Sequence, residues 1–397
     1  MMYMKAGVVV LLFFAAFGVR AAENPNDEQL RAAALPAVVT LYSVGAGSEH
    51  STSRGVGFLV SSEGILVTAR HVSEANAELF AFTSDGRKYP VTGFYGEDRD
   101  YDVAVLKIEG KGFAPLAVAP GLPKRGEWVA VLSPEPEHVT IYSTGVVKAV
   151  MSVPNVWDVI GTTIPVHGGQ SGSPLLNAEG KAVGIVCGND NQAEDGFAGY
   201  AMPASIVQEI LARHHFRAIP FAKRPRKGSS LPLAFDKDFR AAAEAMGNND
   251  WTQAEGTLKR AAKRFPESPL VLFCLGLCQA KRQAWKQAEG SMAQVVKLKP
   301  ESGLAWCVYG ASLAARGRHT QSEAALRTSI RLQPPDQNLL FTAWELIARI
   351  DAERGNTNGV REALANLKSL DPSKAELCSR ELQRQYPKLH LPAEPGD

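Results

Sequence analysis

The chain has 397 residues, a formal net charge of +2 and 21% charged residues. That length exceeds what one hydrophobic core usually serves, so two domains are expected. The near-balanced charge excludes the one-sided basic surface of a nucleic-acid binder.

Met1 to Ala22 opens with Lys5 before an unbroken apolar run, Ala6 to Val19, and ends on Val19-Arg20-Ala21. A short apolar run with a basic start and small residues at its end is the pattern of a cleaved secretory signal, and residues 1–22 are assigned to it. The alternative is a membrane anchor, but the run falls short of the roughly 20 residues that span a bilayer. No stable membrane span and an exported, periplasmic or extracellular protein are therefore expected. The five cysteines, Cys187, Cys274, Cys278, Cys307 and Cys378, are odd in number and lack the spacing of a disulfide framework. A bridge among Cys274, Cys278 and Cys307 stays open at this point.

From Pro36 to Ala201 short β-branched runs alternate with Gly, Pro, Asn and Asp turns: AVVTLYSV, GVGFLVS, GILVTARHV, DVAVLKI, EWVAVLS, TGVVKAV and GKAVGIVC. Many short strands at that spacing predict an antiparallel all-β unit, with room for two small barrels at about 35–132 and 133–203. A helix over 204–215 would close it.

Three residues in this half have chemistry to offer. His71 ends the run GILVTARHV, so its strand delivers the imidazole to a rim. Asp102 stands directly before DVAVLKI's apolar core, with Asp98 and Asp100 as nearby rivals. Ser171 lies in GGQSGSPLL, where a turn free of side chains can aim the backbone N–H groups of Gly169 and Ser171 at one point. A serine hydroxyl attacks a carbonyl only when a base takes its proton and donors receive the oxyanion, and this set supplies both needs. Taken one at a time, each has a plain structural use as a turn, cap or strand-entry residue.

Together they stand in the order His, Asp, Ser, and at this point the stretch 36–215 resembles the chymotrypsin-fold serine proteases, in particular the HtrA (DegP-like) trypsin-like group. GVGFLVSSEGILVTARHV is similar to that group's first hairpin and histidine, DVAVLKI to its aspartate strand, and GQSGSPLLNAEGKAVGI to its nucleophile loop and next hairpin. GYAMPASIVQEIL is similar to the strand and helix that close its second barrel. The resemblance implies Ser171 as nucleophile, His71 as general base and then acid, and Asp102 as the carboxylate that fixes the imidazole. It also implies an oxyanion hole from the Gly169 and Ser171 amides, and a substrate-pairing strand at Cys187, Gly188 and Asn189. Pro165 occupies the floor position of the specificity pocket where trypsin has aspartate, so cleavage after Lys or Arg is not expected. With Val166 and Ile164 beside it, the pocket should take a small aliphatic side chain. Gln170 and Ser173 depart from the group's commoner residues, and His167 is either a solvated loop residue or a contact for an acidic side chain.

Phe216 to Leu233 is basic and rich in Pro, Gly and Ser, the composition of an exposed linker. Beyond it the chain repeats. Trp251, Trp285 and His319 stand 34 residues apart, as do Pro266, Pro300 and Pro334, with Gly276 and Gly310 at the same interval. Helix pairs at that period resemble the tetratricopeptide repeat. A fourth unit fits with four residues inserted before Pro372, giving about four repeats over 234–385 with a capping helix from Lys374. Stacked repeats form a solenoid with a concave groove suited to a protein or peptide partner. Lys259, Arg260, Lys263, Arg264, Lys281 and Arg282 would present basic helix faces, and an acidic peptide is one candidate for that groove.

The chain thus reads as a protease domain at 35–215, a linker at 216–233 and a repeat domain at 234–385. The expected function is an exported serine endopeptidase working through an acyl-enzyme on polypeptide substrates, needing no metal or cofactor; His214 and His215 beside scattered cysteines lack a zinc-site spacing. The alternative is a catalytically silent, protease-like scaffold whose repeats carry the function. An esterase using the same residues is disfavoured, since the strand-turn-helix elbow of those enzymes is absent. HtrA-like enzymes usually carry PDZ domains where this chain has repeats, so their oligomeric state and peptide-triggered activation are not carried over.

Overall fold

A computed structural model describes residues 26–44, 51–74, 78–134, 140–153, 157–188, 197–213, 215–224, 233, 236–332 and 337–389. The expected signal, residues 1–22, lies outside the described residues, as do Asn189, His214, Pro334 and most of 225–235.

Alternating β-branched runs pair into two antiparallel barrels. The first comprises β1 (Val38–Val44), β2 (Ser51–Leu59), β3 (Ile65–Ala69), β4 (Glu78–Thr83), β5 (Lys88–Asp98) and β6 (Val103–Ile108). Their order is β5-β4-β1-β2-β3-β6, and pairing of β5 with β6 closes the ring. The second comprises β7 (Trp128–Pro134), β8 (Thr140–Val153), β9 (Trp157–Thr162), β10 (Pro174–Leu176), β11 (Ala182–Gly188) and β12 (Gly199–Pro203), closed in the order β10-β11-β12-β9-β8-β7. Leu41, Leu59, Leu66 and Leu106 fill the first barrel, and Val131, Val147, Ile160 and Val186 the second. The short helices α1 (Asp27–Ala34), α2 (Arg70–Glu74) and α3 (Ile206–Arg213) complete this half.

Two expectations need correction here. The barrel boundary falls before Trp128, because EWVAVLS pairs with β8 and β10 of the second barrel. The segment expected to be an exposed linker is partly built into the fold. β13 (Ile219–Pro220) adds to β5, Phe221 is buried in the first-barrel core, and the Arg224 guanidinium lies over the Phe221 ring while donating to the Ser73 carbonyl at 3.0 Å. Its Pro, Lys and Arg content gave no sign of that single apolar anchor.

The helical half is four antiparallel pairs: α4 (Lys237–Gly247) with α5 (Trp251–Arg264), α6 (Pro269–Lys281) with α7 (Trp285–Leu298), α8 (Gly303–Ala314) with α9 (His319–Arg331), and α10 (Gln337–Glu353) with α11 (Thr357–Leu370). α12 (Pro372–Gln385) follows as the capping helix. Each helix of a pair buries a small-residue stripe. A Cβ at Gly276 would stand 2.8 Å from Met292 Cε, and one at Gly310 2.7 Å from Leu326 Cγ. Glycine at the 34-residue interval is therefore what lets α6 approach α7 and α8 approach α9. Side chains of Asp236, Asp250, Ser268, Ser302, Asn356 and Asp371 cap helix N-termini by accepting free backbone N–H groups.

The expected basic faces are largely neutralised. Arg260 and Arg264 pair with Asp236 and Asp238, and Lys259 and Arg282 pair with Glu255. This removes the charge argument for an acidic peptide there. All five cysteines are free and buried, so the bridge among Cys274, Cys278 and Cys307 does not form. No described helix is long and apolar enough to cross a membrane.

The two halves share one core. Phe58, Val105, Leu132, Ile185 and Tyr200 from the interface between the barrels run into the same cluster as Phe239, Leu258, Val271 and Cys274 of the helical half.

Candidate active site

The pairing register of β3 and β6 ends at Ala69 opposite Val103. The next residue outward on one side is Arg70, which starts α2, and on the other Asp102; the Arg70 N–H donates to the Asp102 carbonyl at 2.7 Å. Asp102 holds a left-handed backbone, φ 51°, a conformation costly for a residue with a Cβ and one that turns its carboxylate toward α2. His71 Nδ1 then lies 2.6 Å from Asp102 Oδ2, and the His71 backbone N–H donates to Oδ1 at 3.2 Å. The Asp102 side chain is fully buried and that of His71 is 30% exposed. One carboxylate thus orients both the ring and the backbone of His71, leaving Nε2 as the nitrogen available to a reactant.

Electrostatics follow the same geometry. Burial works to lower the His71 pKa, but the hydrogen bond to Asp102 and its charge together outweigh it and hold the imidazole above its ordinary value. Arg70 is fully buried and lies with its Nε 3.5 Å from Asp102 Oδ1 and its Nη1 on Glu74. Asp102 is therefore flanked by two cationic or potentially cationic groups inside the protein.

The Ser171 loop packs directly beneath this pair. The Val56 N–H of β2 donates to the Ser171 carbonyl at 2.9 Å, and the Gly172 N–H donates to the Val186 carbonyl at 2.7 Å. Gly172 has φ 91°, and a Cβ there would meet the Val56 carbonyl at 2.0 Å, Thr68 Oγ1 at 2.5 Å and the Ala69 nitrogen at 3.0 Å. Only glycine permits the serine loop to sit against the strand end that carries the histidine. Ser171 Oγ donates to the Cys187 carbonyl at 3.4 Å. Gly169 is also left-handed, φ 90°, and among the described residues neither its N–H nor that of Ser171 donates to a protein acceptor. Gln170 is buried, its side-chain oxygen accepting the His167 N–H at 2.7 Å, which pins the turn around these two amides.

Comparison with known proteins places part of the chain beside a known family. Residues 55–185 match the family model of the trypsin-like peptidase domain, and residues 239–300 match a tetratricopeptide repeat model. Residues 55–185 are thus similar to the trypsin-like peptidase domain. The "Probable periplasmic serine endoprotease DegP-like" of Chlamydia pneumoniae is 34% identical over 170 residues, 40% of this chain and 34% of that protein. The protein of the same name from Hahella chejuensis is 34% identical over 172 residues, 42% of this chain and 36% of its own length. The chain spans about a third of the length of these relatives. A solved serine endoprotease from Yersinia pestis aligns with a TM-score of 0.41 at 23% identity over 47% of this chain and 65% of that one.

Within the peptidase domain the sequence-chosen residues divide. His71 and Asp102 are brought into contact, and the loop of Ser171 and Gly169 lies beside them. The rivals Asp98 and Asp100 face away, toward α3 and the repeats. Cys187 and Gly188 stand at the end of β11, which outlasts its partner β10, since the last residue paired there is Ile185. Among the described residues, one edge of β11 is thus free of strand partners at Cys187. The thiol itself turns inward to the Tyr200 carbonyl, and burial pushes its pKa well up, so it offers no nucleophile. The aliphatic pocket wall is not found as expected. Ile164 and Val166 are buried in the second-barrel core, Val166 against Gly199, and of the three only Pro165 is exposed. Their alternation with exposed Thr163 and Pro165 is an ordinary strand-like in-out pattern, indistinguishable in sequence from a pocket lining. His167 is exposed, in keeping with a solvated loop residue.

Arg70 and Arg54 were not singled out for the site from sequence. A charged residue inside the apolar run ILVTAR was the available signal for Arg70. Arg54 Nη1 would lie 3.2 Å from a Cβ on Gly169, and its Nη2 donates to the Pro134 carbonyl at 2.7 Å, so a guanidinium stands beside Gly169.

Proposed function

We propose that the chain is an exported serine endopeptidase in which Ser171, His71 and Asp102 act as nucleophile, general base and orienting carboxylate. The observation that carries this reading is the 2.6 Å contact of His71 Nδ1 with buried Asp102, set above the glycine-built loop of Ser171. As the Ser171 oxygen attacks a peptide carbonyl, its proton passes to His71 Nε2 and the imidazolium is stabilised by Asp102. The carbonyl oxygen, now an anion, is received by the N–H groups of Gly169 and Ser171. The imidazolium then gives its proton to the departing amine, leaving an acyl-enzyme that water hydrolyses by the same steps in reverse roles. A substrate strand would pair with the β11 edge at Cys187 and Gly188 and with the following Asn189, using backbone bonds that are tolerant of sequence. By the resemblance, Pro165 stands where trypsin has a carboxylate, which argues against basic side chains before the cleaved bond.

The contact from Ser171 to the Cys187 carbonyl describes a resting serine. Nucleophile-to-base hydrogen bonds are often loose before substrate arrives, and rotation about one side-chain bond redirects the hydroxyl. Residues 1–22 and the periplasmic names of the relatives together favour action outside the cytoplasm. The repeats would recruit a protein substrate or partner.

Fluorophosphonate labelling of the full chain, with Ser171→Ala and His71→Ala beside it, tests the reading. Labelling of the intact protein alone is expected; a dark intact protein with candidate partners present would replace it by the silent-scaffold reading.

A further inference from the structure

The four-residue turn that delivers Asp102 is also the point where the helical half grips the peptidase domain. Asp98, which ends β5, and Asp100 and Asp102 in the turn before β6 are each 4% exposed or less, and each faces a different element. Asp102 faces His71 on α2. Asp98 Oδ2 accepts from Arg213 of α3 at 2.9 Å and from Lys299, just after α7, at 3.4 Å. Its Oδ1 accepts the N–H groups of Asp100 and Tyr101 at 3.1 and 3.2 Å, so the side chain also shapes the turn itself.

Asp100 reaches furthest. Its Oδ1 accepts from Ser268 Oγ at 2.6 Å and its Oδ2 accepts the Leu270 N–H at 3.0 Å. Ser268 is the N-cap of α6 and donates and accepts at once: its Oγ takes the Val271 N–H at 3.1 Å. A carboxylate from the peptidase domain thus completes the N-terminus of a repeat helix, where free N–H groups and the helix dipole favour negative charge. All three residues, Asp100, Ser268 and Leu270, are buried.

We propose that Asp100 is a positioning residue for the reaction: the repeat domain, holding Asp100 at the N-terminus of α6 and Asp98 through Lys299, sets the turn that aims Asp102 at His71. The proposal rests on the endopeptidase reading above and gives the solenoid a second task, completing the peptidase site as well as recruiting partners. The left-handed Asp102 fits this assignment. A backbone at φ 51° persists only where its surroundings over-determine it, and the anchors two and four residues earlier are the surroundings that hold one side of the turn. A second contact bears on the other side of the site: Arg240 of α4 donates to the Tyr200 hydroxyl at 3.1 Å, and the Tyr200 carbonyl is the acceptor for Cys187, whose own carbonyl holds Ser171.

Burial and the neighbouring charge of Asp98 push the Asp100 pKa up to about 6. A neutral hydrogen-bonding group should therefore replace it without great loss, which makes asparagine the rescuing variant. Asn at 100 can accept from Leu270 with its oxygen and donate to Ser268 with its amide; alanine can do neither.

The test uses the full chain and compares wild type with Asp100→Ala, Asp100→Asn and Lys299→Ala. Two readouts are taken: the pH dependence of fluorophosphonate labelling at Ser171, and the pKa of His71 by NMR of a ring-labelled histidine, alongside thermal midpoints. His71 is surrounded by Asp102, Arg70 and Glu74, none of which is altered. We expect Asp100→Ala to label about tenfold more slowly, as a small misplacement of a catalytic group costs at least that much, with the His71 pKa lowered. Asp100→Asn should restore both, and Lys299→Ala should move both less and in the same direction. An unshifted His71 pKa in Asp100→Ala overturns the proposal, even if the variant is less stable. So does equal loss in Asp100→Ala and Asp100→Asn. If wild type fails to label, the endopeptidase reading falls, and the NMR titration alone decides whether the repeat contact reaches His71.

Discussion

The two halves of the molecule bury charge by different rules. In the peptidase domain the side chains of Arg70 and Asp102 are both fully excluded from solvent while lying 3.5 Å apart. In the helical half an acid such as Asp238 or Glu255 is buried, but its cation reaches water: Arg264 stays 43% exposed and Arg282 41%. A pair with one wet partner costs little to desolvate and adds little to stability. A pair dry on both sides costs several kcal/mol per ion unless geometry repays it, so it persists where the charge has a use. The contrast therefore singles out the residues around Asp102 without reference to any relative.

The largest expected effect tests that contrast at its centre. Asp102→Asn should keep the turn but lose the charge that orients and stabilises the His71 imidazolium, reducing Ser171 labelling by about three to four orders of magnitude. A loss of less than tenfold would mean that the buried carboxylate is structural and that the comparison carries no information on function.

Next comes packing. Gly172→Ala places a Cβ 2.0 Å from the Val56 carbonyl on a backbone at φ 91°, and neither strand can yield without breaking the barrel ladder. We expect a destabilisation of about 3 kcal/mol or more in urea unfolding, with labelling abolished. Gly276→Ala in the solenoid meets side chains alone, the flexible end of Met292 at 2.8 Å and Ser291 Cβ at 3.1 Å, and gains helix propensity, so about 1 kcal/mol or less is expected. Equal costs would show that the repeat helices are as rigidly packed as the serine loop.

How much of this was legible in the sequence follows the same division. The helix pairs were readable because tetratricopeptide packing repeats its glycines and prolines at a fixed interval, and a pattern seen three times identifies itself. The barrels were readable where strands alternate or carry the His71, Asp102 and Ser171 motifs. β4, β5 and β9 were missed: ELFAFT, KYPVTGFYGED and WDVIGT mix charge, Pro and Gly with their apolar residues, and long-range pairing alone makes them strands. The choice of Asp102 over Asp98 and Asp100 could be made from its place before an apolar run. The work of the other two could not, since their partners Ser268, Leu270 and Lys299 lie 168 or more residues away and nothing local announces them.

The pH dependence sharpens the comparison further. His71 has its pKa raised above 6.5, and a general base must be neutral to act. Labelling should therefore rise with pH through an apparent pKa above 6.5, and Asp102→Asn should move that limb down. The linked stability has the opposite sign: the pairing of protonated His71 with Asp102 contributes fully below the unfolded value near 6.5 and is lost as pH rises through the folded one. A limb at or below 6.5 in wild type would show that burial, which works to lower the pKa, dominates at this site.

The smallest effect belongs to the wet pairs. Arg264 donates to both Asp236 and Asp238, at 2.7 Å in each case, and looks on contacts alone like the best-connected cation of the solenoid. Its exposure argues otherwise, because water and salt compete for the guanidinium, while Asp236 keeps its capping bond to the Phe239 N–H at 2.9 Å when the arginine is gone. Arg264→Ala should cost about 0.5–1 kcal/mol at low salt, shrinking toward zero in 1 M NaCl as screening shortens to about 3 Å. A salt-independent loss above 2 kcal/mol would place this cluster with Arg70 and Asp102 rather than against them, and would make the first helix pair, which packs on Tyr200, a rigid part of the peptidase domain.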